Sequence, residues 1–69
     1  MEFIATFGQG WTLRNNFVRL TADSENIARR LLFDAYGSAW AFIYDSERAA
    51  GVEEYRLIEV PFGTKNERL

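Results

Sequence analysis

Between Trp11 and Asn16 the chain gathers residue types that can hold a planar anion. Trp11 offers a flat π-face, Arg14 a planar fork of donors, and Asn15 and Asn16 amides that both donate and accept. Such a set can stack a base and hold a phosphate or ribose. Arg19 and Thr21 alternate with Val18 and Leu20, so they share one strand face and could extend the same pocket. The reading places a ligand site at Trp11, Arg14, Asn16 and Arg19. Each has a plainer role beside it: Trp11 as a hydrophobic plug under the loop, Arg14 as a solvated charge. The glycines of this stretch, FGQGWTLRNN, do not make a phosphate loop. That loop needs a longer glycine pattern ending in Lys and Ser or Thr ahead of a helix. Gly8 and Gly10 are read instead as positive-φ residues in a long hairpin connection.

The rest of the chain offers less chemistry. It has no Cys and no His, so disulfides, thiolate zinc sites and cysteine nucleophiles are excluded, together with the commonest acid–base group. Asp45, Glu47, Glu53, Glu54 and Glu59 show no metal-ligand spacing and read as caps and surface charge. Arg29 and Arg30 read as a solvated helix face, with Arg29 paired to Glu25 at i, i+4. No nucleophile–base set can be nominated. The expectation is a non-enzyme without metal or cofactor.

A chain of 69 residues is one small domain, marginally stable alone. With no disulfide to staple it, partner subunits are the expected support. The net charge of -2 argues against gripping nucleic acid through its backbone. Aromatic residues make up 16% of the chain and hydrophobic residues 48%, which suits a packed globule. No apolar run reaches the length of a spanning helix, and MEFIATFGQG lacks the basic start and apolar segment of a signal peptide. A cytoplasmic location is the expectation.

Periodicity gives the elements that must position these residues. Glu2 to Phe7 and Asn16 to Ala22 read as strands of an antiparallel hairpin. Asp23 or Ser24 caps a helix whose rows Ile27/Leu31/Ala35 and Ala28/Leu32/Tyr36 form one apolar stripe, and Gly37 ends it. Trp40 to Tyr44 reads as a central, well-covered strand. Asp45 or Ser46 caps a short second helix that Gly51 closes, and Arg56 to Val60 is a last strand ended by Pro61. The prediction is an α+β domain over 1–62, in β-β-α-β-α-β order. Its single four-stranded, mainly antiparallel sheet carries both helices on one face. Residues 63–69 form a frayed tail.

One conflict follows. With Ile4, Val18 and Leu20 under the helices, Phe3, Phe7 and Phe17 line the opposite face, where a monomer usually shows polar residues. Three arrangements answer it: the loop and tail cover the rings, a homo-oligomer buries them, or they stack bases as in sheet-type RNA binders. The acidic balance weighs against the last. The reading assigns Phe3, Phe7 and Phe17 to an oligomer interface.

The start MEFIATFGQG, the NNFV strand and the run GSAWAFIYDSE together resemble a family of small bacteriophage- and prophage-encoded proteins that carries no motif of known chemistry. The likeness covers Met1 to about Val60, through Phe7, Gly8, Gly10, Asn16, Gly37, Trp40, Ala41, Phe42 and Tyr44. It implies a non-enzymatic viral accessory protein in the host cytoplasm that counters bacterial defence. Two modes fit: a homo-oligomeric sponge for a small nucleotide immune signal, or a protein-binding inhibitor of a host defence enzyme, such as an anti-CRISPR. A single-stranded RNA-binding module is a third.

Overall fold

The computed structural model describes all residues from Met1 to Leu69. In chain order the elements are β1 (Glu2–Thr6), β2 (Asn16–Thr21), α1 (Glu25–Tyr36), β3 (Phe42–Tyr44), α2 (Glu47–Ala50) and β4 (Ile58–Glu59). The expected α+β order stands, and the helix signals act as read. Ser24 Oγ accepts the Ile27 N–H at 3.3 Å and Ser46 Oγ the Ala49 N–H at 3.0 Å, each satisfying an orphan donor of a first turn. Gly37 and Gly51 leave the helices at φ 62° and 73°, where a Cβ would be strained.

The sheet runs in the order β3-β1-β2-β4. β1 is antiparallel to β2 and to β3, whereas β2 and β4 are parallel. The sheet is therefore mixed, not mainly antiparallel. β3 is an edge strand, not the central one its rings suggested. Its residues are apolar on both sides because Ile43 packs against one layer and Tyr44 against the other.

This topology also separates the helices, which do not share a face. β2 and β3 point the same way with β1 between them, so α1 must carry the chain back across the sheet. β3 and β4 also point the same way from opposite edges, so α2 and the chain after it cross back in the other direction. Two crossovers of the usual right-handed sense that travel in opposite directions fall on opposite faces.

The register confirms the division. Phe3 faces Leu20 and Ala5 faces Val18, and these pack under Ala28 and Leu32 of α1. Ile4 faces Arg19 and Thr6 faces Phe17, and Ile4 and Phe17 lie under Ala50, with Tyr44, Val52 and Leu57 around them. Ile4 thus parts from Val18 and Leu20. Phe3, Phe7 and Phe17 are all buried within the single chain, so they are not free to form the oligomer interface assigned to them. Only one row of the α1 stripe is seated: Ala28 and Leu32 are buried, while Ile27 and Leu31 remain 45% and 38% exposed.

The end of the chain is fastened, not frayed. The Thr12 N–H donates to Glu67 O and the Leu69 N–H to Gly10 O, both at 2.8 Å. Asn66 Oδ1 accepts the Leu13 N–H at 3.2 Å while its Nδ2 donates to Ala39 O at 3.1 Å. The tail thereby joins the β1–β2 connection to the end of α1. Those connection residues run as successive turns, Trp11 to Gly8, Arg14 to Trp11 and Asn16 to Leu13, with Leu13 buried beneath them. Gly8 and Gly10 are not among the positive-φ glycines, contrary to the expectation.

Candidate functional site

The four residues proposed for one ligand site go to four places. Trp11 turns toward the tail, where Arg68 lies over its ring with the guanidinium carbon 5.2 Å from the centroid. Asn16 is spent on the sheet, its Nδ2 donating to Ile58 O at 3.1 Å where β2 meets β4. Arg19 projects from the second face into three carboxylates. Its Nη1 donates to Glu2 at 2.7 Å, its Nη2 to Glu47, and its Nε to Glu59 at 3.3 Å. These bonds, Glu59's first, raise the Arg19 pKa above its ordinary value, so it stays a cation throughout the working pH range. It ties β1, β2, β4 and α2 together, with four of its five N–H donors spent on carboxylates. The three glutamates converge on a cation the chain already supplies.

Arg14 alone of the four remains available. It makes no ion pair and no side-chain hydrogen bond, although it is only half exposed. With Gln9 and Asn15 it borders a cleft of about 360 Å³ between the β1–β2 connection, the outer end of β3 and the chain that crosses the second face. Phe42, Tyr44 and Tyr55 give the cleft its aromatic walls, and Leu57 and Ala50 its apolar floor. The rings of Phe42 and Tyr44 lie 6.2 Å apart at 43°. Phe42 is 62% and Tyr55 68% exposed, so both carry open faces against which a flat group could lie. Hydrogen bonding to the Glu54 carboxylate, and the charge of that carboxylate, raise the Tyr55 pKa above its ordinary value, so the hydroxyl stays protonated.

Tyr55 is held there by Gly51. A Cβ on Gly51 would lie 2.6 Å from Tyr55 Cδ2, inside any tolerable contact. The turn after α2 is therefore built for close approach of this ring. Sequence reading passed over Phe42 and Tyr55 as site residues. The signal was present in the tight Gly51-to-Tyr55 spacing but needed the strand order to become meaningful.

A larger depression of about 770 Å³ lies beside α2, lined by Glu47, Arg48, Gly51, Val52, Glu53 and Glu54. It is open, polar and mostly acidic, and it lacks converging donors. The aromatic cleft carries more recognisable chemistry, since pockets that bind small molecules join apolar walls to a few placed polar groups. Comparison of the chain with family models, with curated proteins and with solved structures gives no match.

Proposed function

We propose that the protein is a non-catalytic binder of a small, planar, anionic ligand of the nucleotide type, held in the cleft between the second sheet face and the α2–β4 segment. The observation that carries this reading is Arg14, an unpaired guanidinium on a cleft walled by the open rings of Phe42 and Tyr55 and the half-buried ring of Tyr44. A guanidinium fork matches a phosphate bidentately, and the rings match a base. Gln9 and Asn15 supply amides for the ribose or base edge. The resemblance to phage-encoded proteins supports a setting in the bacterial cytoplasm, where such a binder sequesters a host immune signal.

Isothermal titration calorimetry against mononucleotides and cyclic dinucleotides tests this. The expected outcome is binding by the wild-type chain that Arg14→Ala and Tyr55→Ala each weaken about tenfold or more, and that Trp11→Ala leaves unchanged. Absence of binding, or binding indifferent to Arg14, sinks the reading.

The acidic depression around Glu47, Glu53 and Glu54 favours a second reading, a protein-binding inhibitor of a host defence enzyme that docks a basic surface there. Reversing Glu53 and Glu54 to Lys would then abolish inhibition while leaving nucleotide binding intact.

A further inference from the structure

The two edges of the sheet differ in how they end. β4 is two residues long, and Pro61 follows closely with no N–H to offer, so that edge is blunted. β3 has β1 on one side and no strand on the other. It carries no Lys, no Pro and no bulge, and its Phe42 stands 62% exposed. A bare strand edge is a template for another strand.

The sequence of β3 suits a copy of itself. Antiparallel pairing about a two-fold axis at Ile43 sets Phe42 opposite Tyr44 of the second copy, and Ile43 opposite Ile43. Phe42 and Tyr44 lie on the second face, so four rings would line up along the seam there. On the first face, alternation continues from Ile43 to Asp45, which would fall opposite Ala41 of the second copy, beside Trp40. Arg29 of α1 lies over that Trp40, 5.8 Å from the ring centroid. Its Nε is bonded to Glu25 at 3.0 Å, and its two terminal nitrogens have no partner. Asp45 is exposed and likewise unpaired. The register thus brings one free carboxylate to one free guanidinium, and the symmetry does so twice.

We infer that β3 is the docking surface for a second copy of this chain, joining two sheets edge to edge through paired β3 strands and two reciprocal Asp45–Arg29 ion pairs. The cleft lies at the outer end of β3, so the second copy's Phe42 and Tyr44 extend its aromatic wall. The pairing itself rests on the edge and its charges, not on any ligand.

Sedimentation velocity on the full chain, without nucleotide, tests it separately from the ligand reading. The wild-type chain is expected to show a concentration-dependent dimer. Phe42→Lys, at an exposed position, should return it to monomer with the far-UV circular-dichroism spectrum of the folded chain and a melt that no longer depends on concentration. Asp45→Arg and Arg29→Asp should each raise the dimer dissociation constant about tenfold, and the double reversal should restore it to within about threefold. A wild-type monomer at every concentration overturns the inference. So does a dimer indifferent to Phe42→Lys, or a double reversal no tighter than the single ones.

Discussion

On the first face of the sheet a twelve-residue helix lays Ala28 and Leu32 onto Phe3, Ala5, Val18 and Leu20, and the tail then closes over its end. On the second face a four-residue helix brings one buried alanine, Ala50, to Ile4 and Phe17. The first is sealed by apolar area, which needs no particular geometry to stabilise. The second is held by a cation among three glutamates, which fixes position without filling space. Because the cover of the second face is thin, rings and a guanidinium remain open there. The candidate site lies where the core is least complete.

The largest expected effects test that difference in cover. Leu32 and Ile4 are almost equally buried, at 0% and 1% exposed. Truncating either to Ala removes similar transfer energy, so the difference lies in the cavity left behind. Losses of this kind run about 2–5 kcal/mol, larger where the surroundings cannot collapse. Leu32→Ala, under a full helix and a fastened tail, should fall near the upper end. Ile4→Ala, beneath a short helix and an irregular crossing, should fall near the lower end. Urea unfolding midpoints of the two variants decide it, and equal losses would break the comparison.

Local signals were legible in the sequence, and long-range ones were not. Ser24, Ser46, Gly37 and Gly51 marked the helix ends, because capping depends on neighbours along the chain. The strand order was hidden, and three misreadings came from it. β3 looked central because it is apolar on both faces, Ile43 on one and Phe42 and Tyr44 on the other, yet it is flanked on one side only. Ile4 was grouped with Val18, although the pairing of Ala5 with Val18 puts Ile4 on the other side; a one-residue slip exchanges every side chain between faces. Both helices were set on one face because the direction of each crossover depends on where β3 and β4 dock. Within the site, Arg14 was found by its type alone. Arg19 was drawn into it because no pattern announces that Glu2, Glu47 and Glu59 converge from three elements.

Two glycines sharpen the contrast at smaller magnitude. Gly51, on the second face, sits at φ 73° with the Tyr55 ring against it. Gly51→Ala should cost about 1–2 kcal/mol from the left-handed backbone alone. It should also push the exposed Tyr55 ring out of the cleft wall, weakening any ligand with it. Gly8, in the connection that first invited a nucleotide loop, lacks positive φ, and a Cβ there would meet Trp11 at an ordinary 3.7 Å. Gly8→Ala should stay within about 0.5 kcal/mol of wild type. Paired unfolding curves for these two variants rank the two loops, and an equal cost would mean that the Gly51 turn is not the constrained one.

A comparably modest effect concerns how the tail seals the first face. Tyr36 packs edge-on against Phe7 at 5.1 Å and Phe62 at 5.9 Å, and its hydroxyl accepts the Gly63 N–H at 2.9 Å. Tyr36→Phe keeps both ring contacts and deletes the acceptor, at a cost of about 0.5–1.5 kcal/mol near neutral pH. Burial raises the Tyr36 pKa above its ordinary 10.0, and the Gly63 hydrogen bond only partly opposes that. As pH rises past 10.0 the unfolded phenol therefore ionises before the folded one. The contribution of a neutral, buried Tyr36 is complete below that value and is lost as pH climbs through the raised one. The phenylalanine variant has no such group, so the stability gap between wild type and Tyr36→Phe should narrow in alkali. Tyr55, whose pKa is also raised, is present in both chains and cancels in the difference. A gap that stayed constant from about pH 8 to about pH 11 would mean that the tail leaves the Tyr36 hydroxyl in water. The first face would then be as open at that end as the second.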